Sequence, residues 1–190
     1  SASSDNFNHI SQYKNYKLGN RSILNLFFSL NLLKFILDIN KKNIKLIEIG
    51  CGYADVCIFI KMLASLYNIN INYTIVDLKD WNNKVKEYLK ANNIDISNIT
   101  FINYEDLCLK KINIGKYDLF FSKNAYSEFN VNIRSFYLNN IISNCDYIFI
   151  VWNYLWKEAK EYGIDEYFKD KCKIEPVLFF NKLDIVKSKI

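Results

Sequence analysis

The chain has 190 residues, 51% of them hydrophobic and 24% charged, which suits one domain with a continuous core and excludes a disordered chain. The formal charge is +5, but the only arginines are Arg21 and Arg134 and the lysines are scattered, so no nucleic-acid-binding face is indicated. The one histidine, His9, excludes a histidine-based catalytic triad or a multi-histidine metal site, and a single proline with five glycines argues against a turn-rich β-sandwich.

The first 20 residues read as a leader, and 21–190 as a single domain. Residues 23–39 are strongly apolar. Asn25, Ser29, Lys34 and Asp38 are read as one polar stripe, which makes this an amphipathic helix capped by Ser22 rather than a membrane span. From there strands and helices alternate. Strands are expected at 45–50, 71–77, 99–103, 116–122 and 146–152, with weaker ones at 174–180 and 183–187. Helices are expected at 54–68, 81–92, 131–143 and 155–169. Such alternation predicts βαβ units and an α/β, Rossmann-like, doubly wound and mostly parallel sheet. The five cysteines form no Cys-x-x-Cys pair and several lie in apolar runs, as expected of free thiols in a reducing cytoplasm.

Open α/β sheets bind ligands beyond the carboxyl ends of their strands. The first strand ends in Glu48-Ile49-Gly50-Cys51-Gly52-Tyr53-Ala54. Gly50 and Gly52 allow a tight turn and the close approach of a ligand. The third glycine of a dinucleotide-binding loop is missing, which disfavours a nicotinamide oxidoreductase. The second strand ends in Asp77, whose carboxylate can accept both hydroxyls of a ribose. The alternative is a helix cap, since Asp77 and Asp80 both precede a helix. The third strand runs into Tyr104-Glu105-Asp106, and the fourth into Ser122-Lys123-Asn124-Ala125-Tyr126-Ser127-Glu128.

The loop Glu48-x-Gly50-x-Gly52 resembles the first motif of class I S-adenosylmethionine-dependent methyltransferases. The stretches EIGCGYA, VDLKDW, FFSKNAYSEFN and YIFIVWN resemble bacterial sugar O-methyltransferases of surface-polysaccharide biosynthesis, over roughly residues 15–155. Lys79 stands where that family has proline, and Ala54 where many of its members have glycine; an alanine there implies an ordinary φ. The fourth strand lacks the Asx-Pro-Pro-aromatic box of methyltransferases that act on nucleobase amines. The resemblance implies S-adenosylmethionine as cofactor and S-adenosylhomocysteine as product. It implies binding by Glu48, Gly50, Gly52, Tyr53, Asp77, Leu78, Tyr104, Asp106 and Ser122. Glu105 and Asp106 compete for the adenine amino group, Asp106 being favoured, with Tyr104 or Leu107 against the ring.

Methyl transfer to a hydroxyl needs a group to take the proton. Without a core histidine, Glu128 is the candidate base, with Tyr126, Asn124 and Asn153 orienting the acceptor. Trp152, Tyr154 and Trp156 are candidates for a sugar-binding face, or for simple core. Tyr16, Gly19 and Asn20 are placed either over the cofactor or in a tether. The expected partner is a small-molecule or glycan acceptor, with no nucleic acid, no membrane span and no metal. The other readings are a methyltransferase for a different small-molecule or protein acceptor, and a non-catalytic Rossmann-like scaffold.

Overall fold

The computed structural model describes residues 10–13, 16–153, 168, 173–176 and 183–189. They fall into two compact units, Ser1–Lys42 with Ala54–Asn70, and Asn43–Tyr53 with Ile71–Ile190.

In the first unit, the strands β1 (Ile10–Tyr13) and β2 (Tyr16–Gly19) pair as an antiparallel hairpin. Tyr16 and Gly19 lie on β2, and Asn20 opens the helix that follows. Helix α1 (Asn20–Ile39) begins before Ser22, which lies in its first turn and is not its cap. The polar stripe expected on α1 does not exist as one stripe. Asn25 and Ser29 are buried, whereas Lys34 and Asp38 are exposed. At 100° per residue, nine positions separate Asn25 from Lys34 by half a turn. Asn25 Nδ2 instead donates to Asp55 Oδ2 at 2.7 Å, on helix α2 (Asp55–Ser65). Phe28, Leu32 and Ile36 form the buried row of α1, while Ile23, Leu30 and Leu37 are exposed. The stretch Ser22–Ile39 is long and apolar enough, by length and composition, to cross a membrane.

The second unit carries a seven-stranded sheet. Its strands are β3 (Asn43–Ile49), β4 (Asn70–Asp77), β5 (Ile99–Asn103), β6 (Tyr117–Lys123), β7 (Cys145–Asn153), β8 (Lys173–Pro176) and β9 (Leu183–Lys189). Their order is β5-β4-β3-β6-β7-β9-β8. The first five in that order form the parallel sheet, and β9 runs antiparallel to both β7 and β8. The inner strands read as unbroken apolar runs because they are buried on both faces, as Leu119–Phe121 and Ile148–Trp152 are. Helices α3 (Lys79–Ala91) and α6 (Val131–Asn140) match the expected periodicity, the latter followed by a 3₁₀ turn at Ile142–Asn144. Two short helices, α4 (Tyr104–Cys108) and α5 (Ala125–Glu128), follow strand ends read as loops in the sequence. Of the helix expected at 155–169, only Phe168 lies within the described residues; it is helical and buried.

Strand order reverses between β3 and β6, the place at which open α/β sheets take their ligands. Gly50 lies there with a φ of 67°. A Cβ on Gly50 would overlap the Cβ of Ala125, at the start of α5. Any side chain at position 50 therefore meets both a left-handed backbone, costing about 1–2 kcal/mol, and a steric overlap costing about 1–3 kcal/mol. Gly50→Ala is expected to lower stability by at least about 2 kcal/mol. Urea unfolding checks this, and a midpoint equal to that of the wild type would contradict the packing described.

Candidate functional site

The carboxyl ends of β3, β4, β5, β6 and β7 build the site. At the first, the turn is made by Gly50 and Gly52, with φ of 67° and 58°. Ala54 is also left-handed, with φ 62° and ψ 23°, so the ordinary φ expected there is not adopted. The turn requires a positive φ at that position whichever residue fills it. Gly50 N–H donates to the Val76 carbonyl at 3.2 Å, and the Gly52 carbonyl accepts from Trp81 Nε1 at 2.8 Å. Trp81 is thus a clamp on the loop. Its ring lies 5.5 Å from that of Tyr53, which also meets Tyr88 at 5.2 Å. Tyr53 and Leu78 are exposed beside this loop and the next. Glu48 is buried and accepts from the Tyr73 hydroxyl at 2.8 Å.

At the second strand end, Asp77 is half-buried. Its Oδ1 accepts from Leu78 N–H at 2.8 Å, and the N–H of Cys51 also reaches its carboxylate. The carboxylate therefore lies against the glycine turn. It does not cap α3, whose capping residue is Leu78 with no side-chain bond. Glu105 does that work instead, its two carboxylate oxygens accepting from Lys79 N–H at 3.0 and 3.3 Å. A proline at position 79 would have no such hydrogen to give. With Glu105 so engaged, Asp106 is held separately. Its Oδ2 accepts from Asn103 Nδ2 at 2.9 Å. Tyr104 packs against Phe136 and Tyr137 at 5.4 and 5.6 Å. Its hydroxyl is pushed up to about 12, first by a hydrogen bond with Cys108 and then by burial.

At the fourth strand of the parallel set, Asn124 adopts φ 71° and ψ −45°, a rarely populated region for any residue but glycine. Surrounding bonds hold it there. Its N–H donates to the Val151 carbonyl, and its own carbonyl accepts from Ser127 N–H, Glu128 N–H and the Ser127 hydroxyl. Its Oδ1 is buried without a hydrogen-bond partner. The Ser127 hydroxyl also accepts from Asn153 N–H at 3.0 Å, and Asn153 Nδ2 donates to Glu128 Oε1 at 3.0 Å. Asn124, Ser127, Glu128 and Asn153 thus form one network across the ends of β6 and β7. Ser122 is fully buried, its hydroxyl accepting from Tyr126 N–H at 3.0 Å. Tyr126 and Trp152 are also fully buried and belong to the core, their rings edge-on to one another. The remaining aromatic candidates, Tyr154 and Trp156, lie outside the described residues. So does His9.

The sequence reading missed Trp81, Ser127, Asn82 and Asn103. Trp81 stood inside the quoted VDLKDW stretch. The two asparagines carried no signal in a chain with so many of them. Among the described residues no cluster of histidine, cysteine and carboxylate side chains suits a metal ion.

Burial raises the Asp77 carboxyl above its ordinary 3.8, against the pull of the Leu78 and Cys51 N–H groups, and the Glu105 charge adds to the rise. The fold therefore favours the protonated form. Its contribution to stability is full below the ordinary carboxyl range and is lost as pH rises through the raised value. Asp77→Asn is expected to raise the melting temperature at neutral pH, with the gain vanishing below about pH 3.5. A lower melting temperature at neutral pH would contradict this.

No protein-family model matches the sequence, and neither does any curated protein sequence. Solved structures do match in three dimensions. A Listeria monocytogenes protein assigned to the class I S-adenosylmethionine-dependent methyltransferases aligns with a TM-score of 0.60 and 14% identity, over 94% of this chain and 62% of its own. An O-methyltransferase homologue from Nostoc punctiforme aligns with a TM-score of 0.63 and 14% identity, over 89% and 58%. Magnesium protoporphyrin IX methyltransferase from Synechocystis, crystallised with S-adenosylhomocysteine, aligns with a TM-score of 0.57 and 10% identity, over 88% and 84%. The chain spans about three fifths of the length of the first two. Its fold is that of the class I S-adenosylmethionine-dependent methyltransferases.

Proposed function

We propose that the chain is an S-adenosylmethionine-dependent methyltransferase acting on an oxygen acceptor, with a sugar hydroxyl as the acceptor class. The observation that carries this reading is the meeting of the Gly50–Gly52 turn with the Asp77 carboxylate at the point where strand order reverses. The donor set suits an adenosyl amino acid. Asp77 is an acceptor for the ribose hydroxyls, Asp106 for an exocyclic amine, and Tyr104 offers a ring face. Gly52 carries no side chain to block a close approach. Glu48, buried against Tyr73, supports the turn from behind.

When bound, S-adenosylmethionine supplies an electrophilic methyl group on a sulfonium and leaves as S-adenosylhomocysteine. The residues of the chain do the rest. Glu128 takes the proton of the acceptor hydroxyl. Asn153 Nδ2 holds Glu128 Oε1, which leaves Oε2 for that task. Asn124 and Asn153 orient the acceptor. Tyr126 and Ser122 contribute by fixing α5 and do not touch the acceptor. The sugar assignment rests on the resemblance of the EIGCGYA, VDLKDW, FFSKNAYSEFN and YIFIVWN stretches, and on the polar, hydroxyl-matching character of this network. Among the described residues Cys51, Cys57, Cys108 and Cys145 form no disulfide, which is consistent with action in the cytoplasm.

Calorimetric titration with S-adenosylhomocysteine is the test. One binding site is expected, weakened at least about tenfold in Asp77→Ala, because hydrogen bonds to a charged acceptor contribute about 1.5–3 kcal/mol each. In a screen of glycosides and nucleotide sugars, Glu128→Gln is expected to slow transfer by about 10²–10⁴-fold with near-normal product affinity. No binding at millimolar ligand would overturn the proposal and favour a non-catalytic module. Transfer to phenols or peptides but not to sugars would overturn the acceptor class alone.

A further inference from the structure

Asn82, on α3, is fully buried. Its Nδ2 donates to the Ile102 carbonyl at 2.9 Å, to Asn103 Oδ1 at 3.1 Å and to the Asp77 carbonyl at 3.3 Å. Its Oδ1 is buried with no hydrogen-bond partner. Two hydrogens thus serve three acceptors, all at the carboxyl ends of β4 and β5. A leucine of similar size would fill the space but leave the Ile102 carbonyl and Asn103 Oδ1 without this donor, so the amide is accounted for by its bonds and not by its volume.

What the amide does is set direction. Asp77 and Asn103 are paired in register across β4 and β5, and Asn82 bonds to both. By occupying Asn103 Oδ1 it turns Asn103 Nδ2 toward Asp106 Oδ2, 2.9 Å away. The Asp106 side chain is partly exposed, and its Oδ1 lies 3.8 Å from the exposed Lys111 ammonium. Building on the methyltransferase reading, we propose that Asn82 is a positioning residue for nucleoside recognition. Through the Asp77 carbonyl and the Asn103 amide it fixes the ribose-accepting and the amine-accepting carboxylates relative to each other. A carboxylate held in this way accepts from a 6-amino purine and repels a 6-oxo purine, so the relay Asn82–Asn103–Asp106 sets base selectivity as well as affinity.

The experiment is calorimetric titration of the full chain with S-adenosylhomocysteine and with S-inosylhomocysteine, which carries an oxygen in place of the 6-amino group. The wild type is expected to prefer the adenosyl compound by at least about tenfold. Asn82→Leu is expected to reduce that preference to about threefold or less. Asn103→Leu, at a half-exposed position, cuts the same relay with little change in burial and serves if Asn82→Leu does not fold. A purely structural role would weaken both ligands equally and leave their ratio unchanged. An unchanged ratio in a folded Asn103→Leu protein, or a wild type without preference, overturns this inference alone. A wild type that binds neither compound overturns it together with the methyltransferase reading.

Discussion

The reversal of strand order between β3 and β6 is the constraint on which the rest depends. In a parallel sheet all strands deliver their carboxyl ends to the same edge. Only at the reversal do the outgoing loops part, leaving backbone N–H groups and strand-end side chains uncovered by a crossing connection. Every polar group assigned to chemistry lies at this edge. Asp77 and Asp106 lie to one side of β3. Asn124, Glu128 and Asn153 lie beyond β6 on the other.

Much of this was legible in the sequence, and the exceptions have physical causes. Parallel strands buried on both faces appear as short apolar runs, so β3 to β7 were found within a residue or two. The glycine turn and Asp77 were also readable, because backbone conformation and strand ends leave local marks. What happens beyond a strand end did not. Helices α4 and α5 are too short to show periodicity, and α5 is held at its start by the Ser122 hydroxyl, which accepts from Tyr126 N–H. Side-chain direction after β6 could not be counted forward, so Tyr126 and Glu128 looked equivalent; one is core and the other lies on the polar network. The misassigned stripe on α1 shows the limit of reading spacing by eye. Four polar residues at intervals of four and five do not stay on one face, and of the two that are buried Ser29 bonds within its own helix while Asn25 finds Asp55, thirty residues on.

Asparagine does in this chain much of what glycine and serine do elsewhere. Asn40, Asn68 and Asn93 hold left-handed positions just beyond helices. Asn130 caps α6 by accepting from Asn132 and Ile133 N–H. Asn82, Asn103 and Asn153 join strand ends through side-chain amides. A residue type discounted for its abundance thus supplies many of the polar joints around the site. Composition bias and structural role are not exclusive. An amide that both donates and accepts can relay orientation where a hydroxyl or a carboxylate would do only part of the work.

The contact between Gly50 and Ala125 carries a consequence for how such a site can diverge. The volume that a side chain at position 50 would fill is already occupied by the methyl group of residue 125, so the two positions share a single space and cannot drift separately. In related chains a larger residue at either position would require glycine at the other, and a glycine at 125 would leave a gap beside the turn. Substitution at position 50 thus has to wait for loss of the methyl group at 125.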